Sequence, residues 1–362
     1  MNRPKILHIT PWYTNEAEPT RGIFIKRHID GLTAHCDNHV LYVNYETPHL
    51  GELRTDTITR INACAGWKNW RWQEWVFHMT LMRGLKELDA LNRFTHVVFH
   101  IAYPALVYFQ KLRPMLPSHI CITEHWSIYH FNFFTSKKPH RLMAIFSHNL
   151  KLICVSEALG RSIQSFTQQL TPYQVIPNVV PETFYCHNKP RGRHFFTAAF
   201  WKQPKEPMQL FGAIKTMKQK GKAMTLRVAG SGPLLKVMQQ FVLENDLNNE
   251  IQLLGYLNEL QLAEAMNEAM AFVLPTSFET FSAVCAEALC CGCPVLANDV
   301  GALGELINES NGRLLQTTEG WEHALESLEA GCFDNVRIAA DAQSRFYAHA
   351  IGPKYFQTIT QS

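Results

Sequence analysis

Residues 271–297 read AFVLPTSFETFSAVCAEALCCGCPVLA, and the parsing of this stretch decides the fold. AFVL is a short, continuous apolar run closed by Pro275, the pattern of a strand buried on both faces. A polar loop carrying Glu279 follows, and a helix is predicted to begin near Phe281 or Ser282. Gly292 supplies its C-terminal stop, with Pro294 just beyond, and PVLA reads as a second buried strand. Strand, helix and strand in that order form the crossover unit of a parallel sheet. Cys290, Cys291 and Cys293 look at first like half of a metal or redox site. A structural zinc site needs four ligands, commonly as two pairs, and Cys290–Cys293 has no second C-x-x-C pair elsewhere. Small apolar thiols at a tight turn fit better, so the cysteines read as packing.

The same alternation runs through the chain. KILHIT (5–10), HVLYVNY, ITRINAC, THVVFHIA, HICITEH (119–125) and KLICVS (151–156) read as strands. Helical stretches separate them, including RGIFIKRHIDGLTAHC and a long one from about Trp70 to Leu91. YQVIPNVVPETF (173–184) is a last strand entering a Pro-bearing linker, and the polar HNKPRGR (187–193) marks a boundary. The alternation then restarts with HFFTAAF, MTLRVAG, IQLLG and AFVLP. Near-continuous apolar strands between helices indicate parallel sheets covered on both faces. The expected class is α/β, with two doubly wound domains facing a cleft, divided between residues 185 and 186.

Composition narrows the function. Apolar residues make up 46% and charged residues 18%, a balance suited to a water-soluble globular chain. The formal net charge of +3 is too small to argue for nucleic acid. The N-terminus lacks a secretory pattern and no run of 18 apolar residues occurs, so a cytoplasmic protein is expected. Ten cysteines in such a compartment are mostly reduced thiols.

In open parallel sheets ligands bind beyond the C-terminal strand ends, so chemistry is sought at strand-to-helix turns. The first-turn amides near Phe281 and Ser282 are free donors suited to an anion such as a diphosphate. Glu279 just before them and Glu287 farther along the helix could accept hydrogen bonds from hydroxyls on the same ligand. A nucleotide sugar has that form, with a sugar at one end and a ribose at the other.

These residues also carry a resemblance. Thr276–Ser282, then Glu287, Ala288, Gly292, Pro294 and Val295, resemble the signature of glycosyltransferase family 4: S-x-x-E-x-F-G, then E-A-x-x-x-G-x-P-V. Ser282 replaces the commoner glycine. PTRGIFIKRHIDGL, VIPNVV, LRVAGSGPLL, the stretch from Ile251 to Glu279, and DAQSRFYAHAIGPKYFQTI resemble further family segments in the family's order.

The resemblance implies a GT-B fold of two facing Rossmann-like domains, 1–185 and 186–344, with the C-terminal helices of 345–362 crossing back onto the first. It implies a retaining, metal-independent enzyme that moves a sugar from a UDP- or GDP-sugar to a hydroxyl of a glycan or lipid-linked acceptor. Cell-surface polysaccharide or lipopolysaccharide synthesis is the expected setting, with no cofactor. The first domain would bind the acceptor and the second the donor. Gly22 would let backbone approach the donor phosphates, and Tyr256 and Leu257 would face the base. Thr280, Phe281 and Ser282 would cradle the diphosphate, Glu279 would hold sugar hydroxyls and Glu287 the ribose. His125 matches a histidine at the donor sugar's reacting centre, and His100 is expected nearer the acceptor. Glu124 could orient its neighbour or point away.

One segment departs from the family. Its G-R-L-x-x-x-K-G run is here FTAAFWKQPKEP, in which Lys205 matches the lysine. Phe200 or Ala199 stands at the arginine, so Lys202 is the candidate replacement, as a point charge rather than a fork. Two rivals are a GT-B sugar-nucleotide epimerase, which would need further acid/base carboxylates, and a non-catalytic sugar-nucleotide-binding homologue. Finally, WKNWRWQEWVFHM places Trp67, Lys68, Trp70 and Arg71 together. Basic residues among tryptophans suit peripheral contact with the inner face of the plasma membrane, and the same pattern suits a core-facing aromatic helix.

Overall fold

The computed structural model describes residues 3–47, 49–63, 70–130, 139–222, 224–316, 320–328 and 333–361. Trp67, Lys68 and the Trp70 side chain lie outside the described residues. By internal contacts the chain divides into two compact units, Met1–Val179 with Ala348–Ser362, and Val180–Tyr347.

The first unit is built on eight strands: β1 (Lys5–Thr10), β2 (Asp37–Asn44), β3 (Leu53–Arg54), β4 (Ile58–Asn62), β5 (His96–His100), β6 (His119–Glu124), β7 (Lys151–Cys154) and β8 (Tyr173–Val175). Their order is β3-β4-β2-β1-β5-β6-β7-β8. The inner strands are almost wholly buried, as their unbroken apolar runs require. The expectation of a purely parallel sheet needs one correction, because β3 runs antiparallel to β4. Thr55 N–H closes the tight turn on Ile58 O at 2.8 Å. Arg54, paired with Glu52 and Glu87, puts charge on the edge, where it discourages further strand addition.

The second unit holds β9 (His194–Phe200), β10 (Thr225–Ser231), β11 (Ile251–Gly255), β12 (Ala271–Leu274), β13 (Val295–Asn298) and β14 (Gly312–Leu315), ordered β11-β10-β9-β12-β13-β14. All of these pairs are parallel. Phe195, Trp201, Phe211, Ile214 and Leu296 are among its fully buried core, each worth about 1.5–3 kcal/mol of burial. In both sheets the strand order reverses beside the first strand. The loops after β1 and β5 are therefore neighbours, as are those after β9 and β12, and such reversals are where open α/β sheets bind ligands.

The helix Ala348–Thr360 belongs to the first unit. Ile351, Tyr355 and Ile359, four residues apart on one face, pack with Ile6, Leu32, Val98 and Ile153. Gly352 permits close approach to the helix Ile23–Gly31, since a Cβ there would lie 2.3 Å from Gly31 O. Tyr355 Oη and Thr123 Oγ1 share a hydrogen bond of 2.7 Å. The boundaries fall at 179/180 and 347/348 rather than after 185 and 344. Val180 N–H donates to Phe346 O at 2.9 Å and Tyr347 Oη donates to Phe184 O at 2.8 Å, which ties residues 180–184 to the second unit.

Candidate functional site

In the second unit the loops after β9 and β12 are laced together. Ser277 N–H donates to Pro204 O and Glu206 N–H to Pro275 O, both at 3.0 Å, and Lys205 and Thr276 form an antiparallel bridge. This lacing brings Lys205 Nζ onto Glu279 Oε1 as an ion pair whose side chains are 17% and 10% exposed. Glu279 is fixed from behind as well. Ala302 N–H donates to its carbonyl at 3.0 Å, and Gly301, at φ +56°, leaves no room for a Cβ against that oxygen.

Ser282 precedes the helix Ala283–Cys290 with φ +68° and ψ 74°, and its side chain makes no cap. The left-handed conformation is free for glycine and costs other residues about 1–3 kcal/mol. The Ser282 hydroxyl is buried without a hydrogen-bond partner. Phe281 turns its ring onto Phe346, 5.7 Å away and edge-on, and Thr280 is half-buried. Glu287 is buried, so it is not a solvated surface residue.

Lys202 is exposed, its ammonium 5.5 Å over the Phe200 ring. Trp201 between them is buried and holds the loop, donating Nε1–H to Ala229 O at 2.9 Å. Gly232 packs on it, where a Cβ would lie 2.5 Å from Trp201 O. Tyr256 is exposed and Leu257 half-buried in the loop after β11. That strand is two places from β9, about 10 Å by strand spacing, at the same end of the sheet.

The cysteines are packing. Cys285, Cys290, Cys291 and Cys293 are fully buried free thiols, and burial pushes each above the ordinary thiol range. Among the described residues no group of three or more His, Cys, Asp or Glu side chains could hold a metal ion.

In the first unit Gly22, at φ 62°, begins the helix Ile23–Gly31, and a Cβ there would lie 2.7 Å from Trp12 O. His100 at the end of β5 and His125 after β6 are both buried, with ring centroids 5.8 Å apart and planes at 21°. Two further histidines join them. His8 on β1 meets His100 Nε2 through Nδ1 at 3.1 Å and Asn38 Oδ1 through Nε2 at 2.9 Å. His28 Nε2 bonds Pro177 O at 2.8 Å, and its ring lies 5.4 Å from that of His125.

Burial drives all four toward the neutral form. His8 and His28 are lowered to about 4. His100 and His125 fall well below the usual value, each lowered further by the charge of its neighbours. Nδ1 of His100 and of His28 is buried without a hydrogen-bond partner, and an Asn178 side chain beside His125 works against its lowering. Reading the sequence picked out His100 and His125 but not His8 or His28. The signal was a histidine inside the buried KILHIT strand, and another on the apolar stripe with Ile25 and Ile29.

Over nearly the whole chain this architecture is the GT-B fold, two Rossmann-like parallel-sheet units. Lipopolysaccharide outer core galactosyltransferase WaaB in its apo form superposes with TM-score 0.73, covering 98% of this chain and 99% of that one at 16% identity. Sucrose-phosphate synthase from Thermosynechococcus elongatus does so at 0.78, covering 98% of each chain at 18% identity. Anabaena HepE in complex with UDP and glucose gives 0.75, covering 99% and 100% at 14% identity.

Residues 190–335, within the second unit, match the family model for glycosyl transferases group 1. An uncharacterised glycosyltransferase of Methanocaldococcus jannaschii is 29% identical over 165 residues, 46% of this chain and 44% of that protein. The GPI3 subunit of the Saccharomyces cerevisiae phosphatidylinositol N-acetylglucosaminyltransferase is 26% identical over 204 residues, 51% and 43%. The alignments span less than half the length of these curated relatives.

Proposed function

We propose that the chain is a retaining, metal-independent glycosyltransferase of the family 4 type. It moves a sugar from a UDP- or GDP-sugar to a hydroxyl of a glycan or lipid-linked acceptor, in cell-surface polysaccharide or lipopolysaccharide synthesis. The observation that carries the reading is the Lys205–Glu279 pair at the switch point of the second sheet, beside the N-terminus of Ala283–Cys290. It lies within the residues that match the group 1 family model.

The leaving group is a nucleoside diphosphate, so stabilising its developing charge is the main catalytic task. Lys205, with Lys202, and the amides of Thr280, Phe281 and Ser282 serve that charge; a helix N-terminus alone supplies up to about 2 kcal/mol. Glu279 holds donor-sugar hydroxyls, Glu287 the ribose, and the backbone of Tyr256 and Leu257 the base. Gly22 gives the phosphates room, His125 serves the reacting sugar and His100 the acceptor. The likeness to an outer core galactosyltransferase and to a protein solved with UDP and glucose supports a nucleotide donor and a glycan acceptor.

A peripheral membrane contact is the second reading. Trp72 and Trp75 are 50% and 42% exposed and stacked at 4.9 Å, with Met79 exposed one turn on. Amphipathic rings held in water beside Arg71 suit a lipid interface.

The reading is tested by thermal stabilisation with UDP, GDP, ADP and CMP, each with and without EDTA. Ligand at a hundredfold excess over Kd adds about 2.7 kcal/mol. Stabilisation by UDP or GDP that survives EDTA is expected; no response to any nucleotide would overturn the reading.

A further inference from the structure

Glu124 ends β6 with its side chain fully buried, and among the described residues its four hydrogen-bond donors include no cation. Oε1 accepts from the amides of His125 and Trp126, each at 3.0 Å. Oε2 accepts from the Ala102 amide at 3.0 Å and from Tyr129 Oη at 2.9 Å. A charge without a counter-ion is costly to bury, and a packed apolar side chain would be more stable there. The four donors point to geometry as the reason for its presence.

That geometry concerns the exits of two adjacent strands. Between His100 and Ala102 stands Ile101 with φ +69°, a left-handed conformation that a β-branched residue adopts only where its surroundings enforce it. Ile101 N–H donates to Thr123 O at 2.9 Å, and the next amide is the one Glu124 holds. On the other strand the carboxylate gathers two consecutive amides and turns the chain into the 3-10 turn Ser127–Tyr129. One side chain therefore sets both the bend after His100 and the backbone of His125.

We propose that Glu124 is a positioning residue that fixes the imidazoles of His100 and His125 relative to each other, and that turnover depends on it while donor binding does not. The inference about turnover rests on the transferase reading above; the inference about ring placement does not.

The test uses the full chain with Glu124→Gln, in which an amide must face at least one N–H with an N–H, and Tyr129→Phe, which removes a single donor. Imidazole NMR cross-peaks are compared with wild type, and release of UDP or GDP is followed from UDP-glucose, UDP-N-acetylglucosamine and GDP-mannose. In both folded variants the His100 and His125 peaks should move while those of His194 and His323 stay. For the sugar that is used, kcat should fall at least about tenfold with KM within about threefold. Unmoved His100 and His125 peaks, or wild-type kcat, in either folded variant would overturn the proposal. If wild type uses none of the three sugars, the transferase reading fails, and the imidazole peaks alone decide the placement by Glu124.

Discussion

The ammonium of Lys205 meets the carboxylate of Glu279, 74 residues farther along the chain, across the two loops at the switch point of the second sheet. On the proposed reading, a bound donor diphosphate would take the place of Glu279 as the partner of Lys205, and the displaced carboxylate would become available to sugar hydroxyls.

Replacing Lys205 with alanine should therefore raise the donor KM and lower kcat, the latter by about a hundredfold or more, as for loss of one preorganised charge stabiliser. Steady-state kinetics check this; wild-type values in both parameters would remove Lys205 from the reaction.

Two opposite backbone substitutions flank Glu279. Ser282→Gly relieves a left-handed serine and removes an orphaned hydroxyl, and should stabilise by roughly 1 kcal/mol. Gly301→Ala drives a Cβ to 2.2 Å from Glu279 O at φ +56° and should destabilise by about 1–3 kcal/mol. Urea unfolding of the two variants gives the signs directly.

Stability should fall on acidification below pH 6.5. His8 and His28 are held at about 4 in the folded chain against an ordinary 6.5. Above pH 6.5 both states are neutral there and nothing is contributed. Between pH 6.5 and about 4 the unfolded chain binds protons that the folded chain refuses, so stability rises with pH by up to about 1.4 kcal/mol per unit for each histidine. A Tm that stays flat from pH 7 to 4.5 would contradict this burial.

Arg191 joins the ends of two helices. It donates to the carbonyls of Met266 and Asn267 in the last turn of the helix Glu259–Glu268, to Ala269 O just after it, and to Cys291 O after the helix Ala283–Cys290, at 2.6–3.1 Å. Arg191→Ala leaves those acceptors unpaired and should cost about 2–4 kcal/mol. Arg191→Lys should recover only part, because an ammonium lacks the planar fork. Thermal denaturation distinguishes the three proteins.

If the exposed Trp72–Trp75 stack meets a lipid surface, the double substitution to alanine should weaken cosedimentation with anionic liposomes severalfold and leave Tm nearly unchanged. Equal binding by wild type and variant would assign the stack to another role.

The sequence made the second unit more legible than the first for a physical reason. In residues 271–297 strand, loop, helix and turn are local, and Glu279 and Glu287 sit within one crossover. The histidine cluster is not local: His8 meets His100 across 92 residues, and only the sheet order, which puts β5 beside β1, brings them together. Glu124 was equally undecidable, because its donors lie on two loops. The β3 hairpin edge is two residues long, too short for any periodicity. Lys205 could be located by its place in a pattern, but its pairing with Glu279 depends on backbone bonds between the loops.

The return of Ala348–Thr360 to the first unit also bears on how the chain is made. A ribosome delivers β1 to β8 long before it delivers Tyr355, so the hydrophobic site prepared by Ile6, Leu32 and Val98 stays open while all of Val180–Tyr347 is synthesised. The unit translated first is thus the one completed last, and its apolar surface stays exposed through that interval.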